Sequence, residues 1–590
     1  MYSMKRFFLT LLASTLGVFI AAGLLLFIGI GMLMSIAMSS TKQTVYEPKA
    51  NTIYKLDLQG SLVEQAQDNP LELLFGNAEK QLGVADVIKA IRNARMNPNI
   101  AGIYLNAGNL SAGFASLESI REELKAFKAA DKFIVAYADN YTQGTYYLAS
   151  VADSLFLNPQ GTVGLTGLAS QGLFFTGLGD KLGIHYEIFK AGKYKSAVEP
   201  YMLDKFSAEN REQLTSLLNN IWYHWLENIA KDRNTTTGDL NRYANEGRAL
   251  GEAQNALQFR LADRLCYRFE AENCAKRMAG QPDAEEMRSA STSKLLSMNT
   301  YDSTGPDKIA VVYAEGTIMS DANNEGYLET LVSEGIISDL RNLMKKDEVK
   351  AVVLRINSPG GDAYLAEQIW KAVADLKAVK PVVVSMGDYA ASGGYYIACA
   401  ANKIVAEPTT LTGSIGVFGV MPNLAGTFQK IGITSDMVKT NAFADLGDLS
   451  RPMLPDERLL IQRSVERTYD LFLSRCAEGR GKSKADIDAV AQGRVWTGSQ
   501  ALEVGLVDRL GSMQTAIDEA IALAGPGDYS VYTVNVPKDF WTESMELLMD
   551  DAQLSLSRLL MDDETLRLYQ AVHEARSLRG IQARMPFWYF

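Results

Sequence analysis

Apolar and polar positions along this chain follow two periods that take turns. In the C-terminal half AVVLRIN (351–357) is a run of aliphatic and β-branched residues, the pattern of a buried strand. Leu365, Ile369, Val373 and Leu376 follow at helical spacing. A second strand, PVVVSMG (381–387), a helix beginning at Gly393 and a third strand, KIVAEP from Lys403, continue the alternation. Ile461, Val465, Tyr469 and Phe472 mark a later amphipathic helix, and Leu214, Leu218, Ile221, Trp225 and Ile229 mark its counterpart in the N-terminal half. Strands separated by helices predict parallel βαβ units with right-handed crossovers, so the expected fold class is α/β.

The pattern occurs twice. KLGIHYEIFKAGKYKSA from Lys181 is answered by KIGITSDMVKTNAFADL from Lys430 at a shift of 249, and GTVGLTGL from Gly161 by TLTGSIGVFG from Thr410 at the same shift. ALQFRLADRL from Ala256 matches ALEVGLVDRL from Ala501 at 245, and LDLQGSLV from Leu56 matches VYAEGTIM from Val312 at 256. Preserved order with small drift indicates a duplicated domain. The expected division is a membrane anchor over 1–45, a first α/β repeat over 46–280, a linker over 281–305, a second repeat over 306–525 and a tail over 526–590. In the tail, WTESMELLM, LSLSRLL and RMPFWYF read as amphipathic and aromatic pieces.

The anchor is read from residues 7–41, which carry no charge after Lys5 and Arg6 and include Phe19, Ile20, Leu24, Leu25, Leu26, Phe27, Ile28 and Ile30. About 20 apolar residues cross a bilayer, whereas a cleaved signal peptide has a shorter apolar stretch. Lys5 and Arg6 favour a cytoplasmic N-terminus, although Lys42 and Lys49 reduce the contrast.

Composition narrows the chemistry. Over 590 residues the 58 basic and 69 acidic side chains give a net charge of −11, against a wide cationic surface for nucleic acid. Three histidines, His185, His224 and His573, and four cysteines, Cys266, Cys274, Cys399 and Cys476, make a closed zinc site improbable, and no metal is expected. In an oxidising compartment Cys266 and Cys274 could pair; the alternative is four free thiols.

The strand-to-helix turns of the second repeat are where a parallel sheet presents ligand sites. NSPGGD (357–362) pairs two glycines that uncover backbone N–H groups, and DYAASGGYY (388–396) puts Ser392 before two glycines and a helix start. Ser392 is either the N-cap of that helix or a nucleophile on an A-x-S-x-G elbow. A serine nucleophile needs a base. The histidines stand in apolar, helical or tail contexts, with no turn and no partner nearby. Two S-x-x-K strings, at Ser39 and Ser291, fall beside the anchor and in the linker and read as chance matches. The repeats supply another base: at the shift of 249 Lys195 stands opposite Ala444, and Ser392 opposite Gln143 or Gly144. A lysine kept by one copy and a serine kept by the other suggest a composite site.

GKYKSAVEP (192–200), INSPGG (356–361), YAASGGYYIA (389–398) and LTGSIGVFGV (411–420) together resemble signal peptide peptidase A, or protease IV, in its long double-repeat form. The resemblance runs from about residue 51 to 511 and includes the anchor. It implies tandem Clp/crotonase-like ββα domains behind a transmembrane helix, and a serine endopeptidase of a bacterial inner membrane, single-pass, with its body in the periplasm. Its substrates would be cleaved signal peptides, its assembly a homotetramer, and it would need no cofactor. Residue by residue, it implies Ser392 as nucleophile, Lys195 as general base, Ser414 as the residue orienting that lysine, and the amides of Gly393 and Gly361 as oxyanion donors. A crotonase-like acyl-CoA enzyme and a non-catalytic membrane scaffold are the competing readings.

Overall fold

A computed structural model describes Gly17 and residues 45–66, 81–298, 305–320, 331–534 and 581–585. In the first repeat the elements that bear on function are β1 (Thr52–Val63), α1 (Val84–Met96), β2 (Ile100–Ser111), α2 (Phe114–Lys128), β3 (Phe133–Ala138), α3 (Gln143–Ala149), β4 (Ser154–Leu157), α4 (Thr176–Leu182), β5 (His185–Ala191) and α5 (Ala208–Asp232). The second repeat opens with β6 (Asp307–Glu315), β7 (Thr317–Ile318), α6 (Gly335–Met344), β8 (Val349–Ser358), β9 (Gly360–Asp362), α7 (Ala363–Lys377), β10 (Val382–Ala391) and α8 (Gly393–Ala398). It continues with β11 (Lys403–Ala406), β12 (Leu411–Gly413), β13 (Val417–Asn423), α9 (Ala425–Lys430), α10 (Pro455–Arg480), β14 (Val495–Thr497), β15 (Tyr529–Thr533) and β16 (Ile581–Arg584).

Each repeat has its own sheet. β1, β2, β3 and β4 pair in parallel in that order, and β6, β8, β10 and β11 do the same in the second repeat. The runs that look uniformly apolar in sequence are covered on both faces, as central parallel strands are. Val352, Leu354 and Ile356 of β8 face a core built with α6, α7 and α8, while Ala351 and Val353 face a second cluster with Ala516 and Ala520. β2 divides its side chains the same way, Ile103 and Leu105 to one face and Tyr104 to the other.

A third sheet fastens the repeats together. After β8 the chain turns at Gly360 into β9, and β13 runs antiparallel to β5 of the first repeat over seven residue pairs. Charged contacts add to the join. Arg355 donates to both carboxylate oxygens of Glu64, at 3.0 and 2.8 Å, with both side chains buried. Asp388 accepts from the N–H groups of Ala115 and Ser116, at 2.8 and 3.0 Å, so a second-repeat carboxylate meets the N-terminus of first-repeat helix α2. Burial pushes the Glu315 carboxyl up to about 7 and that of Glu407, hydrogen-bonded by Ser119, up to about 8.

Several expectations change. PVVVSMG does not end at residue 387: β10 continues through Ala391, after a bulge opposite Ile356 and Ser358 that lets DYAA stay in the ladder. Within NSPGGD, Gly360–Asp362 is a short strand that leaves the main sheet. In the segment expected as linker, Ala290 pairs with β1 and Leu295 is buried; Ser291 caps a short helix by accepting from the Lys294 N–H. All four cysteines are free thiols, Cys274 only partly buried. Of the tail, Tyr529–Thr533 adds β15 beside β6. Residues 7–41, Gly17 excepted, lie outside the described residues, and among those described no helix is long and apolar enough to cross a membrane.

Candidate active site

Ser392 stands between β10 and α8 with φ 56° and ψ −113°, and its side chain makes no capping hydrogen bond. The backbone is held in this strained region by the strand on one side and a Ser392 N–H to Gly413 carbonyl bond of 2.8 Å on the other. Ser392 thus holds the N-cap position of α8, its carbonyl accepting from the Tyr396 N–H at 2.8 Å, but its hydroxyl does no capping. Its hydroxyl lies 2.7 Å from Lys195 Nζ.

Lys195 reaches that position from the other repeat. The β5–β13 register sets Ala191 opposite Val417, so the residues just beyond β5 arrive beside those just before β13. Lys195 Nζ is 3.0 Å from the Ser414 carbonyl and 3.0 Å from Ser414 Oγ. Lys195, Ser392 and Ser414 are all fully buried. Burial holds the Lys195 amine well below its ordinary value of 10.5.

The lysine loop has supports that sequence reasoning missed. Tyr194 N–H donates to the Gln492 carbonyl at 2.8 Å, and Gln213 of α5 bridges the loop to β14, donating to the Tyr194 carbonyl and accepting from the Val495 N–H. A Cβ on Gly493 would lie 2.7 Å from Lys195 Cβ, so a side chain there would displace the lysine. These contacts join residues far apart in the chain, and nothing in local spacing marks them.

The two glycine turns converge on the serine. A Cβ on Gly360, where φ is 98°, would fall 2.7 Å from Gly393 N, and one on Gly361 would fall 2.0 Å from the Ile318 carbonyl oxygen. Only glycine fits at either place. The histidines stand apart: His185 is exposed on β5, His573 lies outside the described residues, and His224 does have a partner, Glu118, at 3.2 Å. Among the described residues no group of His, Cys, Asp and Glu is placed to hold a metal ion.

The structure also corrects the alignment of the repeats by one residue. α3 starts at Gln143 and α8 at Gly393, which sets Ser392 opposite Thr142.

Comparison with known proteins bears on the chain as a whole. The model of peptidase family S49 matches twice, at residues 126–281 and 374–525, and a Clp protease model matches residues 308–411. Protease 4 of Salmonella typhi is 36% identical over 494 residues, 81% of this chain and 79% of that protein. The chain belongs to peptidase family S49. Protease 4 of Haemophilus influenzae is 35% identical, covering 79% of this chain and 78% of its own length. The chloroplastic serine protease SPPA of Arabidopsis thaliana is 35% identical, covering 72% of this chain and 63% of its own. As an S49 member with the family domain in duplicate, the protein is a serine peptidase on a Clp-like α/β fold. The acyl-CoA and scaffold readings are set aside.

Proposed function

We propose that the protein is a membrane-anchored endopeptidase that uses a Ser392/Lys195 dyad to degrade cleaved signal peptides and other hydrophobic peptides. The observation that carries the dyad is the 2.7 Å approach of Lys195 Nζ to Ser392 Oγ within a fully buried site. A neutral amine has two N–H donors and one lone pair. The donors suit the two oxygens of Ser414, which leaves the lone pair for the Ser392 hydroxyl proton. Ser392 then attacks the scissile carbonyl, and the amides of Gly393 and Gly361 stabilise the oxyanion. The Lys195 ammonium protonates the departing amine, and water activated by the neutral lysine hydrolyses the acyl-enzyme.

Activity requires the unprotonated amine, so kcat/KM rises with pH through the lowered Lys195 value, on a limb below 10.5. A serine-reactive fluorophosphonate tests the dyad: labelling abolished by both Ser392→Ala and Lys195→Ala is expected, and intact labelling of the Lys195→Ala protein refutes the lysine as base.

The remaining parts of the proposal are a tetramer of this chain and a body on the periplasmic side of a bacterial inner membrane, anchored through residues 7–41. Support for assembly lies in the second repeat's counterpart of β5, residues 433–441, which is not a strand and exposes Ile433, Met437 and Val438. Such a segment suits strand pairing with another copy.

A further inference from the structure

One buried amide touches the chain on both sides of the proposed base. Gln213 of α5 has no exposure, and its Nε2 lies 3.1 Å from the Tyr194 carbonyl, 3.1 Å from Ser196 Oγ and 3.0 Å from Asn210 Oδ1. Its Oε1 accepts from the Val495 N–H of β14 at 3.2 Å. A carboxylate fixes which way this amide points. Asn210 Nδ2 donates to the buried Glu199 at 2.9 Å, which turns Asn210 Oδ1 toward Gln213 and requires an N–H group to face it.

β14 in turn places the nucleophile. Val495 pairs with Gly413 of β12, whose carbonyl accepts from the Ser392 N–H at 2.8 Å, and the Ser414 N–H donates to the Arg494 carbonyl at 2.7 Å. A path of hydrogen bonds therefore runs from both flanks of Lys195, through a single side chain, to the backbone of the serine it must reach. The same face of α5 holds the 494–500 segment at other points as well. Glu212 accepts from Arg494, Ser216 from Gln500 and Asn220 from Thr497, at 3.0, 2.9 and 2.7 Å. Among these side chains of α5 only Gln213 bonds to the Tyr194–Lys195 peptide group.

We infer that Gln213 is a positioning residue for the reaction. Its amide fixes the seat of the Lys195 backbone against the strand that places Ser392 and Ser414, and so keeps the amine within reach of the hydroxyl. A long, flexible lysine side chain can hold one geometry only if its root is fixed, and a misplacement of about 1 Å between reacting groups costs about 10²-fold in rate. The inference rests on the Ser392/Lys195 reading of the site.

The test compares the full wild-type chain with three full-length variants. Gln213→Met keeps an unbranched side chain and removes both ends of the amide. Gln213→Glu keeps an acceptor for Val495 and loses the NH2 donor. Asn220→Ala cuts another contact of the same helix with β14, away from the lysine. The rate of fluorophosphonate labelling, and kcat and KM on an internally quenched apolar peptide, are followed from pH 6 to 10. Both Gln213 variants should label, and turn over peptide, about 10- to 100-fold more slowly with KM within about twofold. Their rising pH limb should move up toward 10.5, because an unseated lysine loop admits water to an amine whose value is lowered by burial. Asn220→Ala should leave rate and limb unaltered. A purely structural glutamine would lower the melting temperature without moving the limb. Wild-type rate and limb in either folded Gln213 variant overturn the positioning role alone, and so does an equal loss in Asn220→Ala. Intact labelling of Lys195→Ala overturns the dyad, and the inference with it.

Discussion

Thr142 and Ser392 hold the same station in the two repeats, between the third strand and a short helix, and they behave oppositely. Thr142 has φ −70° and accepts a hydrogen bond from the Thr145 N–H, an ordinary cap. Ser392 has φ 56°, caps nothing and turns its hydroxyl to Lys195. A cap is worth about 1 kcal/mol, whereas a strained backbone costs about 1–3 kcal/mol. The second repeat has given up local stability at the point where the first has kept it. Counting from the starts of α2 and α7, Gly360 and Gly361 answer Ser111 and Ala112, and counting from α4 and α9, Ser414 answers Leu165. Lys195 has Ala444 as its counterpart. Each copy lacks what the other supplies, so neither can be complete alone.

The largest expected effect separates the two stations. Ser392→Ala and Lys195→Met should each lower kcat/KM by about 10³ to 10⁶, as in other dyads and triads. Thr142→Ala should leave kcat/KM unchanged and reduce unfolding free energy by about 1 kcal/mol in denaturant titration. Lys195→Met should also leave the melting temperature equal or higher, because it removes an amine that burial disfavours. A melting temperature sharply lowered by Lys195→Met would assign the lysine a structural role.

Next comes the glycine turn. Gly360→Ala should reduce kcat by about 10² or more, since its Cβ intrudes between the Gly393 amide and the bound carbonyl. Ser111→Ala, at the corresponding place in the first repeat, should leave steady-state kinetics unaltered.

A smaller contrast is set by the lysine's neighbour. Ser414→Ala should lower kcat about 10-fold with KM little changed, because the amine loses one of its acceptors. Leu165→Ala should spare kcat and destabilise the fold by about 2–5 kcal/mol.

The smallest effect concerns the join between repeats. Glu407, raised to about 8 in the folded protein, faces Ser119, Glu118, Arg355 and Glu122. A raised carboxyl contributes stability that is present below the ordinary value of 4.5 and is lost as pH rises toward 8. Lys195 contributes the opposite slope, since its lowered value makes the folded state release a proton the unfolded state keeps. The difference in melting temperature between the wild-type chain and Glu407→Gln isolates the carboxyl: Gln should gain relative to wild type as pH rises from 6 to 9. A difference independent of pH would show that Glu407 is ionised throughout.

The strand and helix alternation, the duplication and the two glycine turns are legible in the chain alone. β8, α7 and β10 are legible because burial on both faces demands continuous apolar runs, and burial on one demands helical spacing. Comparison of the two repeats suggested the pairing of Ser392 with Lys195 and resemblance to a known family specified their roles; periodicity alone left Ser392 as either a cap or a nucleophile. Folding in three dimensions settles that the Ser392 hydroxyl does not cap its helix, that the β5–β13 register carries Lys195 across 197 residues to it, and that Gln213 and Gly493 hold the lysine loop. It alone placed residues 581–585 over the site. The reason is physical: local patterns record which face of an element is buried, whereas a buried amine beside a hydroxyl depends on strand pairings between distant segments, whose register no single segment encodes.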